Sequence, residues 1–439
     1  MTPSARSRLR AALFLLVAVV CAPTLVACGN AGELDVVNVP ADADTLAEAH
    51  DRVAPGGMIL LDEGVYEEQL VVTKPDVTVR GVDRNAVIVD GEGVRPYGIV
   101  VVADGGRVEN LTVRNTTFYG VLVTGLYGDD GPSAHTAQGY EAFDPEEFPA
   151  VERFWISHVT AHNNGLYGIY AFNARHGVIA DSYASGSADS GFYVGQCRDC
   201  DILVSGNVAE RNAVGFENAN ASDSLTVVGN RFSDNRVGLT LISNYQEAFT
   251  PQRANLVAGN VISHNVSEDS PRQESGGFGI GVGLSGGVDN VLVRNRIEGN
   301  ARAGILLDST EDLASMGNVF LDNALDGNGV SVANVSAPRA PAISNCVTPD
   351  TNLSTLPDGL LADCPDGTGS QPAVDITALP AQDAPPGMSF LEVPAPGPQP
   401  TMPDPRTPPA GPLPATVSHP DADDVMVPPA DLLTMATRS

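Results

Sequence analysis

The sequence predicts an all-β protein, a right-handed parallel β-helix of about ten or eleven coils with an N-terminal capping helix. Three observations predict it. Between His158 and Asn334 the chain repeats about every 23 residues, with Asn, a second Asn five residues on, then Gly and an apolar strand. The clearest copies begin at Gly206, Gly229, Arg294 and Gly317. Segments such as VGLTLI and AGILLD are short, β-branched and roughly alternating, and no ten-residue helical pattern separates them.

The columns of the repeat can be followed residue by residue. The first polar column is His158, Asp181, Asn207, Asn230, Asn260, Asn295 and Asn318, with steps of 23, 26, 23, 30, 35 and 23. Five residues behind each stand Asn163, Gly186, Asn212, Asn235, Asn265, Asn300 and Asn323. A glycine column, Gly168, Gly191, Gly215, Gly238, Gly279, Gly304 and Gly329, opens the next strand. Asn suits such turns because it tolerates the left-handed region and its amide can hydrogen-bond along a stack of like turns. Helical repeats, the fixed Leu spacing of a leucine-rich repeat and the longer blade of a propeller are all excluded. Coils stacked at about 4.8 Å would form a rod on the order of 50 Å long.

The ends divide the chain further. Residues 1–27 read as an export signal, with Arg6, Arg8 and Arg10 ahead of a short apolar core. Leu25, Val26, Ala27 and Cys28 resemble a bacterial lipobox, which implies cleavage before Cys28 and a lipid on its thiol. Residues 28–43 then form a tether, and residues 44–57 a capping helix with Asp44 as N-cap, followed by the PGG turn at Pro55. The β-helix occupies 58–334 and a C-terminal cap 335–364. Residues 365–439 hold 18 of the 33 prolines and read as a disordered tail or stalk. An exported setting favours disulfides: Cys197 with Cys200 pinning a turn, and Cys346 with Cys364 stapling the cap. A metal or redox dithiol at Cys197 and Cys200 is the alternative, weak without a second CxxC.

With 24 Lys plus Arg against 54 Asp plus Glu, the net charge is −30. Such a field repels nucleic acid and anionic headgroups. It would also repel a polyanionic polysaccharide unless Ca²⁺ bridges the like charges; no cofactor is otherwise required. The expected partners are a polysaccharide or other cell-envelope component and, through lipid at Cys28, the membrane, with the chain itself a monomer.

The run MILLDEGVYEEQLVVTKPDVTVRGVDRNAVIVDG resembles the start of secreted right-handed β-helix proteins of the pectate-lyase-like superfamily. VENLTVRN at Val108, YGIYAFNARHG at Tyr167, DSGFYVGQC at Asp189 and AERNAVGFENANAS at Ala209 resemble a bacterial group of β-helix lipoproteins. The resemblance spans roughly residues 40 to 340 and implies architecture more than activity, since the superfamily holds lyases, glycoside hydrolases, alginate epimerases and a maturation factor for nitrous oxide reductase. Its catalytic motifs do not transfer. Asp144, Pro145, Glu146 and Glu147 lack the His of the epimerase Asp-Pro-His-Asp, and Asp129 with Asp130 lies in an insertion.

Insertions point to where a site would lie. Gly125 to Val151 and Asn244 to Gln252 interrupt equivalent points after a strand, so both should project from one edge, and Val266 to Gly277 interrupts the approach to the same strand. On that strand Val121, Ile169, Phe192, Phe216, Leu239 and Ile305 should point inward, leaving Leu122, Tyr170, Tyr193, Glu217, Thr240 and Leu306 outward. Tyr170, Phe172, Tyr193 and Tyr140 are the expected sugar-stacking residues; a buried aromatic ladder is the competing expectation. Arg175, His176, Glu217 and Asp189 are the candidate catalytic residues, since a base beside a carboxylate could abstract the proton alpha to a uronate carboxyl. His158, His162 and Asp181 fall in the same coils, and the first and last are assigned to turns. The chain is thus expected to bind, and to cleave or epimerise, a polysaccharide; a non-catalytic envelope scaffold and an extracytoplasmic metalloenzyme maturation factor are the alternatives.

Overall fold

Three parallel sheets wall the solenoid in the computed structural model, which describes residues 32–128, 131–132, 145–273, 276–348, 353–364 and 369–435. Sheet I has 13 strands, from Leu34–Val39 to Ala362–Asp363. Sheet II has 9, from Gly64–Tyr66 to Arg296–Glu298, and sheet III has 11, from Leu70–Val72 to Thr355–Leu356. The middle coils visit them in the order I, II, III, as with Val151–Ser157, Thr160–His162 and Ile169–Phe172. The inward columns are β-branched and aromatic because parallel strands are buried and must stack like on like. In sheet III, Val121, Ile169, Phe192, Phe216, Leu239, Val282 and Ile305 are Cα partners in turn and none is exposed. Each such side chain contributes roughly 1.5–3 kcal/mol on burial.

The corners are set by asparagine ladders, in the expected register from Asn207 to Asn295 and from Asn212 to Asn300, and one residue away from it in the coils before. Asn207, Asn230, Asn260, Asn295 and Asn323 form one ladder, each backbone N–H donating to the next Oδ1 at 2.9–3.0 Å. Asn212, Asn235, Asn265, Asn300 and Asn328 form the second. Ser182 and Ser187 precede these ladders, donating to Asn207 and Asn212. His158, Asp181, Asn163 and Gly186 instead hold the left-handed position just before, at φ of +53°, +49°, +57° and +67°. Asn318 belongs to a third ladder, between Asn290 and Asn345. The left-handed geometry and the stacked amides are therefore supplied by adjacent residues, and one Asn need not do both. The glycine column is likewise Gly120, Gly168, Gly191, Gly215, Gly238, Gly281 and Gly304, with Gly281 in place of the expected Gly279 and Ser331 in place of the expected Gly329. A Cβ on the first six would meet the next glycine's carbonyl oxygen at 2.5–3.0 Å.

The solenoid outruns the expected 58–334 at both ends. Leu34–Val39 is a strand, not a tether, because alternate Val37 and Val39 enter the core and the strand pairs with Val53–Leu61. The latter strand runs through the anticipated PGG turn as a bulge, its partners jumping from Val53 to Met58 and Gly56 taking φ +78°. Between them helix α1, Leu46–Arg52, is capped by Thr45 rather than Asp44: Thr45 Oγ1 accepts from Glu48 N, and Glu48 Oε2 accepts from Asp44 N. Past Asn334, Cys346–Val347, Thr355–Leu356 and Ala362–Asp363 continue sheets I and III, so the cap is further coil. Both disulfides form, Cys197–Cys200 and Cys346–Cys364. Residues 1–31, with the signal and Cys28, lie outside the described residues.

Nor is the proline-rich segment free. Residues 369–435 lie along the solenoid as a strap, first over the later strands of sheet III, where Leu379 packs with Ile280 and Leu306, and then along sheets I and II. Proline offers a carbonyl without an N–H, so such a chain presents acceptors in excess. Arginines of the solenoid meet them: Arg236 Nη2 donates to Pro385 O and Pro386 O at 3.0 and 2.9 Å, and Arg80 Nη1 to Pro405 O and Thr407 O at 3.2 and 2.6 Å. Composition indicated a chain unable to build its own core, correctly, but not that the β-helix would provide a surface for it.

Candidate functional site

Sheet III presents its outward column as expected. Leu122, Tyr170, Tyr193, Glu217, Thr240, Gly283 and Leu306 are Cα partners in sequence. The face is covered, however. Tyr170 is 0% and Phe172 and Tyr193 each 1% exposed, so these rings form a buried cluster and not an open sugar-stacking surface. Leu126 and Phe148 of the first insertion pack on them with Tyr119 and Tyr167. Tyr170 lies 4.6 Å from Tyr167 and 4.7 Å, edge-on, from Tyr193, centroid to centroid. Such pairs add roughly 0.5–1.5 kcal/mol each beyond burial. Tyr140, Asp129, Asp130 and Asp144 fall outside the described residues.

Carboxyl groups gather at this cluster. Ser190 Oγ lies 2.7 Å from Glu217 Oε2 and 3.3 Å from Asp189 Oδ1, linking the two acids. Gln273 of the third insertion donates to Asp189 Oδ1 at 2.7 Å, and Tyr193 OH donates to Glu247 Oε1 of the second insertion at 2.8 Å. Burial, then the neighbouring Asp189 charge, pushes the Glu217 carboxyl well above its usual range. Burial raises Asp189 also, its carboxyl enclosed although the residue keeps a partly open edge. Burial pushes Glu247 up to about 8. Near neutral pH Glu247 is therefore mostly protonated, and burial works against charge on both Asp189 and Glu217. A carboxyl held neutral beside a carboxylate can give a proton and take one back.

All three insertions reach one face, as their spacing predicts, but Arg175 and His176 do not join the acids. They lie past the far end of the sheet III strand, at the start of sheet I strand Ala174–Ala180. Arg175 pairs with Glu152, and His176 sits between Glu152 Oε2 at 3.3 Å and Asp201 Oδ2 at 2.7 Å. Asp201 also accepts from Val417 N at 2.9 Å and lies 2.8 Å from His419 Nε2, both on the strap. Burial works to raise this carboxyl, yet the bonds from His176, Val417 and His419 hold it below its usual range. The expected quartet thus separates into a sheet III acid pair and a sheet I ion cluster. A cleft of about 320 Å³ opens beside that cluster, lined by Pro149 of the first insertion, Phe249 of the second, Arg175 and Arg198. His162 is buried in sheet II away from the acids, where burial lowers its pKa. Sequence reading missed Glu247, Gln273 and Ser190; the first two lie in recognised insertions, whose inward-facing residues no periodicity marks.

The profile of the family described as right handed beta helix region matches residues 76–250 and 245–352. No curated protein sequence matches the chain. Among solved structures, the A-module of mannuronan C-5 epimerase AlgE4 from Azotobacter vinelandii aligns at 15% identity over 68% of this chain and 91% of its own, TM-score 0.39. Pectate lyase Pel9A aligns at 17% identity over 77% and 84%, TM-score 0.38. Pectin methylesterase PemA from Erwinia chrysanthemi aligns at 12% identity over 73% and 92%, TM-score 0.31.

Proposed function

The chain belongs to the right-handed β-helix family, and from that premise we propose that it binds a polysaccharide where the three insertions meet over sheet III, at the partly open edge beside Asp189, and transfers protons on it. Glu217 is the acid and Asp189 its carboxylate partner, with Glu247 holding a second proton against Tyr193. Export and lipid attachment at Cys28 place the protein on the outer side of the cytoplasmic membrane.

One observation carries this reading: three separate insertions converge on a single face and bury three carboxyl groups there. Burying acids lowers stability, and a framework gains nothing by drawing three of them together. Their raised pKa values also answer the charge problem. A protonated carboxyl is neutral, so an anionic sugar can approach this patch without Ca²⁺ despite the net charge of −30.

The test is a panel of polyuronates and neutral glycans, followed by ultraviolet absorbance for unsaturated uronate, by NMR for C5 proton exchange in D₂O and by release of reducing ends. Glu217→Gln should lower any turnover at least about 100-fold, the low end for losing a general acid. Absence of both turnover and glycan binding by the parent chain would sink the proposal.

A scaffold role is favoured by one specific observation, the burial of Tyr170, Phe172 and Tyr193, which makes the aromatic row a source of stability. A maturation factor would need thiols or His as ligands, and of these the sulfurs of Cys197 and Cys200 are committed to a disulfide.

A further inference from the structure

The strap does not lie flush on sheet I. Trp155, Val178 and Leu203 are Cα partners on neighbouring strands and alternate with inward Ile156, Ile179 and Val204, so they form an apolar row on the outer face. Leu413, Pro414 and Val417 of the strap face this row across a cavity of about 420 Å³. The roof is held at its ends. Arg107 Nη2 donates to Gly411 O at 2.7 Å, while Asp201 accepts from Val417 N at 2.9 Å and lies 2.8 Å from His419 Nε2. Among the described residues no hydrogen bond ties 412–416 to the solenoid. A segment pinned only at its ends can lift between them and admit a ligand.

The walls say what that ligand would be. The ionisable residues lining the cavity are His176 and Asp181, and no lysine or arginine joins them. His176 is engaged by Glu152 and Asp201, whereas the Asp181 carboxylate makes no hydrogen bond or ion pair among the described residues. Arg84 donates to the Asp181 main-chain oxygen at 3.0 Å and not to the carboxylate. Burial lowers the pKa of neighbouring His158, so that ring is neutral near pH 7. Nor does the fold require an acid here. The corner needs only a left-handed backbone, which Gly206 and Gly229 supply in the next two coils. Asp181 stands three residues past Val178, about 10 Å along the strand. An unpaired carboxylate at the end of an apolar trough with an aromatic floor is matched by one positive charge on an apolar body. The net charge of −30 further disfavours an anion.

We propose that this cavity is a binding site for a small amphiphilic amine, with its ammonium on Asp181 and its hydrocarbon body on Trp155, Val178 and Leu203 beneath the strap. Asp181 is exposed, so the charge stays at the wet rim and burial falls on the body. The volume falls within the range of roughly 300–1,000 Å³ usual for ligand sites. The site lies on sheet I, apart from the acids of sheet III, and does not depend on the glycan reading.

Trp155 is the only tryptophan, so its emission reports on the cavity. The full chain is titrated at pH 7 with n-octylamine, n-octanol and octanoate, all below micellar concentrations, and followed by fluorescence and calorimetry. Octylamine should shift the emission saturably and bind at least about tenfold more tightly than octanol, the effect of one charge-assisted hydrogen bond. Octanoate should not bind. Asp181→Asn, which keeps a residue tolerant of the left-handed turn, should reduce the amine to the affinity of the alcohol. Leu203→Phe, which fills the floor, should abolish binding of both, with circular dichroism melting checking its fold; if it does not fold, Asp181→Asn decides. The proposal is overturned if octylamine gives neither an emission change nor heat, or if octanol or octanoate binds as tightly. It is also overturned if Asp181→Asn keeps the preference for the amine, which would assign the attraction to the charge of the whole molecule.

Discussion

Around Tyr170 and Tyr193 the outward face of sheet III lies under Leu126, Phe148 and Glu247, whereas sheets I and II, with the later sheet III strands at Leu306, lie under the strap. On sheet III the cover and the covered surface meet through aromatic and aliphatic side chains, and the polar groups between them are carboxyls with raised pKa. On the other flank the meeting is between guanidinium or amide donors and main-chain oxygens, with most of the overlying side chains in solvent. Apolar burial scales with area and is lost only when the whole patch opens, while spaced hydrogen bonds to solvated strands can be released singly. One cover should therefore share the stability of the solenoid and the other should open below it.

The largest effect should come from Tyr193→Ala. It removes a ring that is 1% exposed and touches Tyr167 and Tyr170, and should lower global stability by about 3–5 kcal/mol, read from denaturant midpoints. A loss below about 1 kcal/mol would mean the sheet III cover is as loose as the strap.

The pH dependence of unfolding comes next. The Glu247 carboxyl is raised from its ordinary 4.5 to about 8 in the fold, so the folded state holds a proton that the unfolded chain releases earlier. That contribution is complete below about pH 4.5 and is lost as pH rises toward 8, by at most on the order of 5 kcal/mol. Glu247→Gln should flatten the fall in melting temperature between pH 5 and pH 8, and an unchanged slope would move the titration to another group.

The smallest effect should be that of Arg294→Ala. Loss of its bonds to Ala422, Asp423 and Val425 should speed local amide exchange in residues 420–430 about tenfold, with the global melting transition unmoved. A matching drop in global stability would make the strap part of the core and erase the contrast between the covers.

What the sequence made legible follows the same division. The inward and outward columns of sheet III were readable because a strand alternates strictly, and Phe192 and Tyr193 took the sides that alternation dictates. Ladder positions were off by one at Asp181 and Ser182 because serine begins the ladder where a search for Asn finds none. Exposure was not legible. Tyr170 faces out of the coil yet is buried, since Phe148 arrives from an insertion without periodicity. The strap was hidden for a related reason, as its partners, Arg80 and Arg236 among them, lie far from it in sequence and look like ordinary turn and strand-end residues.

The asparagine ladders bear on how such a molecule can change. Every Asn amide ties its coil only to the coils next to it, so spacing is re-established locally after each excursion: Asn230 meets Asn260 across 30 residues as closely as Asn207 meets Asn230 across 23. Loop length and rod pitch are thereby decoupled. New segments can be spliced between ladder positions and tried against the outer face while the remaining coils keep their alignment, so the scaffold can acquire or discard a site without refolding around it.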